Sequence, residues 1–255
     1  MIAPLAGKKG LIVGIANDKS IAYGCAVQMH AQGAELAVTH LNGKADAYVR
    51  PLAEKLDAWM VGACDVREAG ELEAVFDAIR ERWGKLDFLL HSIAFAPKED
   101  LHARVTDCSR EGFSQAMDVS CHSFIRMARL AEPLMTDGGT LLTVSFYGAE
   151  RVVEHYNLMG PVKAALEASS RYLAAELGPK KIRVHVLSPG PIATRAASGI
   201  DRFDELINRA TARAPIHQHV TIDHCGALAA FLCTDGAAGM TGEIIHIDGG
   251  QHLVA

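Results

Sequence analysis

The chain has no CxxC pair, no apolar run of about 18 residues and no block of charge of one sign, and each absence closes a class of function. Its cysteines, Cys25, Cys64, Cys108, Cys121, Cys225 and Cys233, show no zinc-ligand spacing. Most fall within apolar patterns, so they read as small core residues in a reducing compartment. The missing apolar run excludes a membrane-spanning helix. The N-terminal MIAPLAGKKGLIVG has too short an apolar stretch, and no small-residue cleavage site, for a signal peptide. A net charge of −5, with Lys and Arg dispersed, gives no electrostatic case for nucleic acid or an anionic membrane surface. The expectation is a cytoplasmic protein with neither a nucleic-acid nor a membrane partner.

Two short motifs are missing as well. GxGxxG, the usual dinucleotide fingerprint, does not occur. The histidines, among them His91, His217, His219 and His224, match no metal template such as HExxH, so no metal site is expected and they read as core or solvated side chains.

What is present is a regular alternation. Of 255 residues 49% are hydrophobic, enough for a sizeable core, and no repeat, low-complexity tract or Pro/Ser linker divides them. Short apolar runs at 10–14, 35–40, 59–64, 86–92, 139–145, 183–188 and 243–248 predict strands. Helical patterns fill the gaps at 20–32, 44–56, 69–83, 110–135, 157–177, 201–213 and 222–234. Near-continuous apolar strands separated by helices predict a single-domain α/β fold. Its parallel sheet of about seven strands would be doubly wound, with helices on both faces.

In such folds ligands bind beyond the carboxyl ends of the strands. The first strand exits at Gly14, where a glycine permits a sharp turn, and Ser20 is placed to cap the following helix. Free N–H groups at that helix start suit a pyrophosphate, although a plain strand–turn–helix has the same pattern. The second strand ends Thr39-His40-Leu41-Asn42, with neither an acidic residue for a ribose 2′-OH nor an Arg for a 2′-phosphate; Lys44 is the nearest cation. Asp65 leaves the third strand either as an acceptor for an adenine amino group or as a helix cap. The fourth ends in small and apolar residues from His91 to Ala96, under which a flat cofactor fits. The sixth ends Ser188-Pro189-Gly190-Pro191-Ile192-Ala193-Thr194, a rigid turn with backbone groups free for an amide such as that of nicotinamide. Residues 195–213 read as a mobile helical flap over this end of the sheet.

Tyr156 and Lys163 lie seven residues apart at the start of the fifth crossover helix. At about 3.6 residues per turn, a helix beginning near Asn157 puts both on one face, with Pro161 in the first turn where its missing N–H costs least. On spacing alone, an aromatic touching the core and a lysine in water is the commoner outcome.

Taken together, Gly14…Ser20-Ile21-Ala22-Tyr23-Gly24, His91-Ser92-Ile93, Tyr156-x6-Lys163 and SPGPIATRAASGI resemble the enoyl-acyl-carrier-protein reductases. These are a divergent branch of the short-chain dehydrogenase/reductase superfamily, with a Rossmann-like fold. The resemblance runs from the first strand to Asp248-Gly249-Gly250. The commoner branch uses Tyr-x3-Lys, which this chain cannot assemble: Gly160 stands four after Tyr156, and Arg151 four after Tyr147.

The resemblance implies reduction of the trans-2 double bond of enoyl thioesters in fatty-acid synthesis, with NADH as cofactor and NADPH possible. It assigns Gly14, Ala16, Ser20 and Ile21 to the pyrophosphate region, and Leu41, Asp65 and Val66 to adenine. Ser92 and Ile93 would flank the adenosine ribose and the nicotinamide, Lys163 would bind the nicotinamide ribose, and Ile192 and Thr194 would engage the carboxamide and phosphate. Tyr156 would face the thioester carbonyl, with Ala96 and Phe146 beside the substrate. It also implies a homotetramer and transient delivery of substrate by acyl-carrier protein. Phe146 stands where many relatives have a second Tyr, Ala94 where Gly is frequent, and Leu41 where a polar residue is frequent. A paralogue for a specialised acyl chain and a non-catalytic dinucleotide-binding regulator are the competing readings.

Overall fold

Strand residues in this chain are apolar on both faces, and the sheet they form is buried on both. The computed structural model describes residues 3–195, 197 and 203–254. Seven strands, β1 (Lys9–Val13), β2 (Glu35–His40), β3 (Trp59–Ala63), β4 (Phe88–His91), β5 (Gly139–Val144), β6 (Ile182–Pro189) and β7 (Ile244–Ile247), pair in parallel in the order β3-β2-β1-β4-β5-β6-β7. The order reverses beside β1, whose Ile12 lies opposite Val38 of β2 on one side and Leu90 of β4 on the other. This is the doubly wound α/β architecture predicted above.

Alternation along each strand divides the core in two. Leu11, Val13, Leu89 and Leu141 pack on one face with Phe76, Phe124 and Leu166. Ile12, Phe88, Leu90, Leu142 and Leu187 pack on the other with Met29, Val49 and Ala229. Each large side chain so buried contributes about 1.5–3 kcal/mol, which is why the crossover helices must lie on both sides.

The described helices are α1 (Ile21–Ala31), α2 (Gly43–Lys55), α3 (Glu71–Trp83), α4 (Lys98–His102), α5 (Arg110–Met117), α6 (Ser123–Ala131), α7 (Met159–Leu177), α8 (Phe203–Arg213) and α9 (Ile222–Leu232). Three differ from expectation. The segment 110–135 is not one helix: a π-helical turn, Asp118–His122, separates α5 from α6, and a 3-10 turn with Pro133 ends it. The Ser120 hydroxyl in that turn bonds both the N–H and the carbonyl of Phe95, tying it to the loop after β4. The short α4 was not anticipated; Asp100 within it accepts from the Ser109 N–H and hydroxyl. Finally, α7 starts at Met159. His155 and Asn157 have φ of 64° and 40°, left-handed values that a right-handed helix cannot contain. Tyr156 is therefore held in a turn ahead of the helix and not on a shared helical face with Lys163. Pro161 is the third helical residue, where no intrahelical N–H bond is lost.

Of the expected flap, residues 196 and 198–202 lie outside the described residues, and 203–213 form α8. No helix among the described residues is long and apolar enough to cross a membrane.

Candidate active site

A cavity of about 370 Å³ opens beyond the carboxyl ends of β1, β4, β5 and β6. It collects most of the residues singled out from sequence: Gly14, Ala16, Ser20, Ile21, Ser92, Ile93, Ala96, Phe146, Tyr156, Lys163, Ile192 and Thr194 all line it. Gly14 turns the chain at φ 117°, and a Cβ there would come 2.1 Å from the Ser92 carbonyl oxygen, so no other residue fits.

Ser20 occupies the position before α1 but does not cap it. Its Oγ accepts from the N–H groups of Ala16 and Asn17, both at 3.0 Å. The loop folds back over the hydroxyl and offers nearer donors than the helix does. The serine thus shapes the loop, and among the described residues the first N–H groups of α1 have no capping side chain.

Leu41, Asp65 and Val66 do not line the cavity; they lie at the ends of β2 and β3. Leu41 is half exposed. The Asp65 carboxylate is taken by Arg67, at 2.9 Å to Nε and 2.6 Å to Nη2, which holds it below the usual carboxylate range. The helix-cap reading of Asp65 fails: Gly70 precedes α3, and it is the Glu71 carboxylate that accepts from the Asp65 N–H at 2.7 Å. Val66 is buried, and its carbonyl accepts from Arg126 at 2.8 Å.

Tyr156 and Lys163 are both buried, at 7% and 6% exposure, and both reach the cavity wall. Removal from water pushes the Tyr156 phenol up, and Glu167 acts in the same direction. Its ring fits because residue 148 is glycine: a Cβ there would lie 2.4 Å from Tyr156 Cδ1. The Lys163 Nζ donates to the Val144 carbonyl at 2.7 Å. Burial brings its ammonium down to about 8, against the pull of Cys121 and Glu167. Phe146 meets Tyr156 edge-on, while Tyr147 turns toward His246.

His91 belongs to the core, as expected. It is fully buried between Thr143 Oγ1 and Ser123 Oγ, each at 2.8 Å, and burial lowers it to about 3. His224 forms a capping box with Thr221 at the start of α9.

Sequence reasoning missed several wall residues. Leu101 comes from the unanticipated α4, and Met159 opens α7. Phe95, by contrast, belongs to the His91–Ala96 stretch expected under a flat cofactor; it lines the cavity and carries the Arg67 guanidinium 5.3 Å from its ring centroid. Ser145 lines it too, donating at 2.5 Å to the buried carboxylate of Glu167. A glutamate inside the apolar stripe of the 157–177 pattern was the available signal for that pair.

The wall suits an elongated phosphate-bridged cofactor: uncapped helix N–H groups at one end, a buried ammonium with two further N–H groups at the other, and small residues between. A family model described as Enoyl-(Acyl carrier protein) reductase matches residues 14–252. The chain is 47% identical over 248 residues to enoyl-acyl-carrier-protein reductase (NADH) 1 of Rhizobium meliloti (strain 1021), covering 97% of this chain and 91% of that one. Among solved structures, the enoyl-acyl-carrier-protein reductase (NADH) of Aquifex aeolicus VF5 superposes with a TM-score of 0.95 at 43% identity, covering 98% of each chain. The corresponding reductase of Anaplasma phagocytophilum, in complex with NAD, gives 0.94 at 46% identity, covering 98% of this chain and 96% of that one.

Proposed function

The chain belongs to the enoyl-acyl-carrier-protein reductase family, and we propose that it reduces the trans-2 double bond of enoyl thioesters on acyl-carrier protein in fatty-acid synthesis, using NADH. The observation that carries this reading is the convergence of Tyr156 and Lys163 on one cavity at the strand ends, with Phe146, Leu101 and Met159 as an apolar wall beside them.

NADH supplies the hydride that adds to the β-carbon of the thioester. The remaining work falls to side chains of this protein. The loop from Gly14 to Ser20 and the start of α1 hold the pyrophosphate, and Lys163 holds the nicotinamide ribose. Ile192 and Thr194 take the carboxamide side, and Leu41, Asp65 and Val66 the adenine. Hydride addition leaves negative charge on the thioester oxygen, which is discharged when the α-carbon takes up a proton from the medium to give the saturated thioester. Tyr156, which burial keeps protonated, donates its O–H to that oxygen. The bond strengthens as charge develops, so it lowers the barrier more than it stabilises the ground state. The wall of Phe146, Leu101 and Met159 seats the acyl chain and keeps water from the developing enolate.

A homotetramer in the cytoplasm, each subunit one domain with α8 in a flap, completes the reading. Acyl-carrier protein meets it transiently. Phe146 in the wall favours one variation, a paralogue tuned to a particular acyl chain. The test is consumption of NADH and of NADPH with crotonyl and dodecenoyl thioesters. Thioester-dependent loss of NADH is expected; no consumption of either cofactor at any chain length rejects the proposal.

A further inference from the structure

Two residues one turn apart on α7 grip two consecutive residues at the end of β5. Lys163 Nζ donates to the Val144 carbonyl at 2.7 Å, and Ser145 Oγ donates to Glu167 Oε1 at 2.5 Å. All three side chains are buried: Ser145 is 3% exposed, Glu167 4% and Lys163 6%. A glutamate so deep in a helix is costly to bury, and its bond to Ser145 alone does not require a charge, since an amide would accept the same proton.

We infer that Glu167 is a positioning residue for the reduction, whose buried carboxylate orders Ser145 at the cavity wall and keeps the Lys163 amine protonated for the cofactor. The inference rests on the reductase reading of the site. Because Ser145 gives its hydrogen to Glu167, its oxygen faces the cavity as an acceptor only. Lys163 spends one N–H on Val144 and keeps two for ribose hydroxyls, provided it is charged.

The groups acting on this pair come from every element around it. Burial discharges Lys163, while Cys121 from the π-helical turn and Glu167 favour its charged form. Burial raises Glu167, as does Glu150 from the turn after β5; Ser145, Arg171 and Lys163 lower it. Tyr156 ahead of α7 senses Glu167, and His91 of β4 senses Lys163. With Lys163 brought down to about 8, Cys121 and then Glu167, one turn along the same helix, favour its charged form, and loss of either weakens that charge first at mildly alkaline pH.

Glu167→Gln is the test, because the amide keeps an acceptor for Ser145 and removes only the charge. The Lys163 titration is read in the free protein by competitive acylation and mass spectrometry, and NADH affinity by fluorescence. In the Gln variant the Lys163 midpoint is expected to fall by about half a pH unit or more. NADH should then bind at least about threefold more weakly at about pH 8.5, yet within about twofold of wild type at about pH 6, where the amine is charged in both. Glu167→Asp, which keeps the charge, should restore the wild-type profile. An unchanged Lys163 midpoint, an affinity loss equal at both pH values, or an Asp variant that behaves like Gln would overturn the inference. Failure of the wild-type protein to reduce any enoyl thioester would reject the reductase reading instead, leaving the Lys163 titration to judge Glu167 by itself.

Discussion

Phe146 and Tyr156 meet edge to face, their ring centroids 4.9 Å apart and their planes at 62°. The contact sets one side of the phenol against an apolar ring at the point where many family members carry a second hydroxyl. If Tyr156 suffices as donor, Phe146→Tyr changes turnover on a medium-chain enoyl thioester by less than about tenfold, or ~1.4 kcal/mol. Phe146→Ala removes apolar contact worth ~1.5–3 kcal/mol if fully lost, and raises KM for long chains more than for crotonyl thioester. A hundredfold gain in kcat from Phe146→Tyr at every chain length would show that the natural wall is a handicap.

Tyr156 and Lys163 should fail differently. Tyr156→Phe deletes a donor to developing charge and lowers turnover by about tenfold to a few hundredfold, ~1.5–3 kcal/mol, with NADH affinity nearly unchanged. Lys163→Ala weakens NADH binding as well as rate, because its ammonium serves the cofactor. Fluorescence titration of both variants separates the roles. Wild-type affinity in Lys163→Ala would remove the lysine from the cofactor site.

The end of β2 argues for NADH over NADPH. Leu41 offers nothing to a 2′-phosphate, and Asn42 is committed to capping α2 through the N–H groups of Lys44 and Ala45. The Asp46 carboxylate lies 3.5 Å from His40 and 2.7 Å from Arg50, so the one guanidinium it touches is already paired and not held free for an extra phosphate. A higher kcat/KM with NADH is expected, and Asp46→Asn should narrow the gap. An NADPH preference in the wild-type protein would contradict this.

Two buried histidines should make the fold sensitive to acid. His91 is lowered to about 3 and His185 to about 4, both chiefly by burial, against an ordinary 6.5. The unfolded chain therefore binds protons that the folded one refuses, and stability is lost as pH falls from 6.5 toward those values. The two sites differ in their bonds. Both His91 nitrogens are paired, whereas neither His185 nitrogen has a hydrogen-bond partner among the described residues; the Met240 backbone acts on the ring without reaching bonding geometry. His185→Leu should cost under ~1 kcal/mol at neutral pH, or stabilise, and flatten the decline in acid. His91→Leu strands the Thr143 hydroxyl and should cost about 1–3 kcal/mol. Urea unfolding at neutral and mildly acid pH gives both numbers, and an unaltered acid slope in His185→Leu would contradict the assignment.

The sheet was legible because parallel strands buried on two faces must be apolar throughout, as in Leu-Ile-Val at 11–13 and Leu-Leu at 141–142. The strand ends then located the cavity and the loops of Gly14, Ser92 and Ile192, whereas Lys163 entered only through the family resemblance. Less legible was anything set by backbone sign or long-range pairing. Periodicity carries no mark of the left-handed residues around Tyr156, so the helix seemed to begin too early. Ser20 reads as a cap in any sequence, and only the folded loop shows its oxygen turned to Ala16 and Asn17. The pairing of Ser145 with Glu167 spans 22 positions and two elements, beyond the reach of local pattern.

The reading of this site stands on hydride passing to the β-carbon of an enoyl thioester while Tyr156 donates to the thioester oxygen. NADH deuterated at the transferable nicotinamide position, incubated with dodecenoyl thioester, tests it through the mass and label position of the product. The expected product is a saturated thioester with one deuterium at the β-carbon, formed by the wild-type protein and slowed about tenfold or more in Tyr156→Phe. Recovery of unlabelled, still unsaturated thioester from the wild-type protein, or label at the carbonyl carbon, would contradict it.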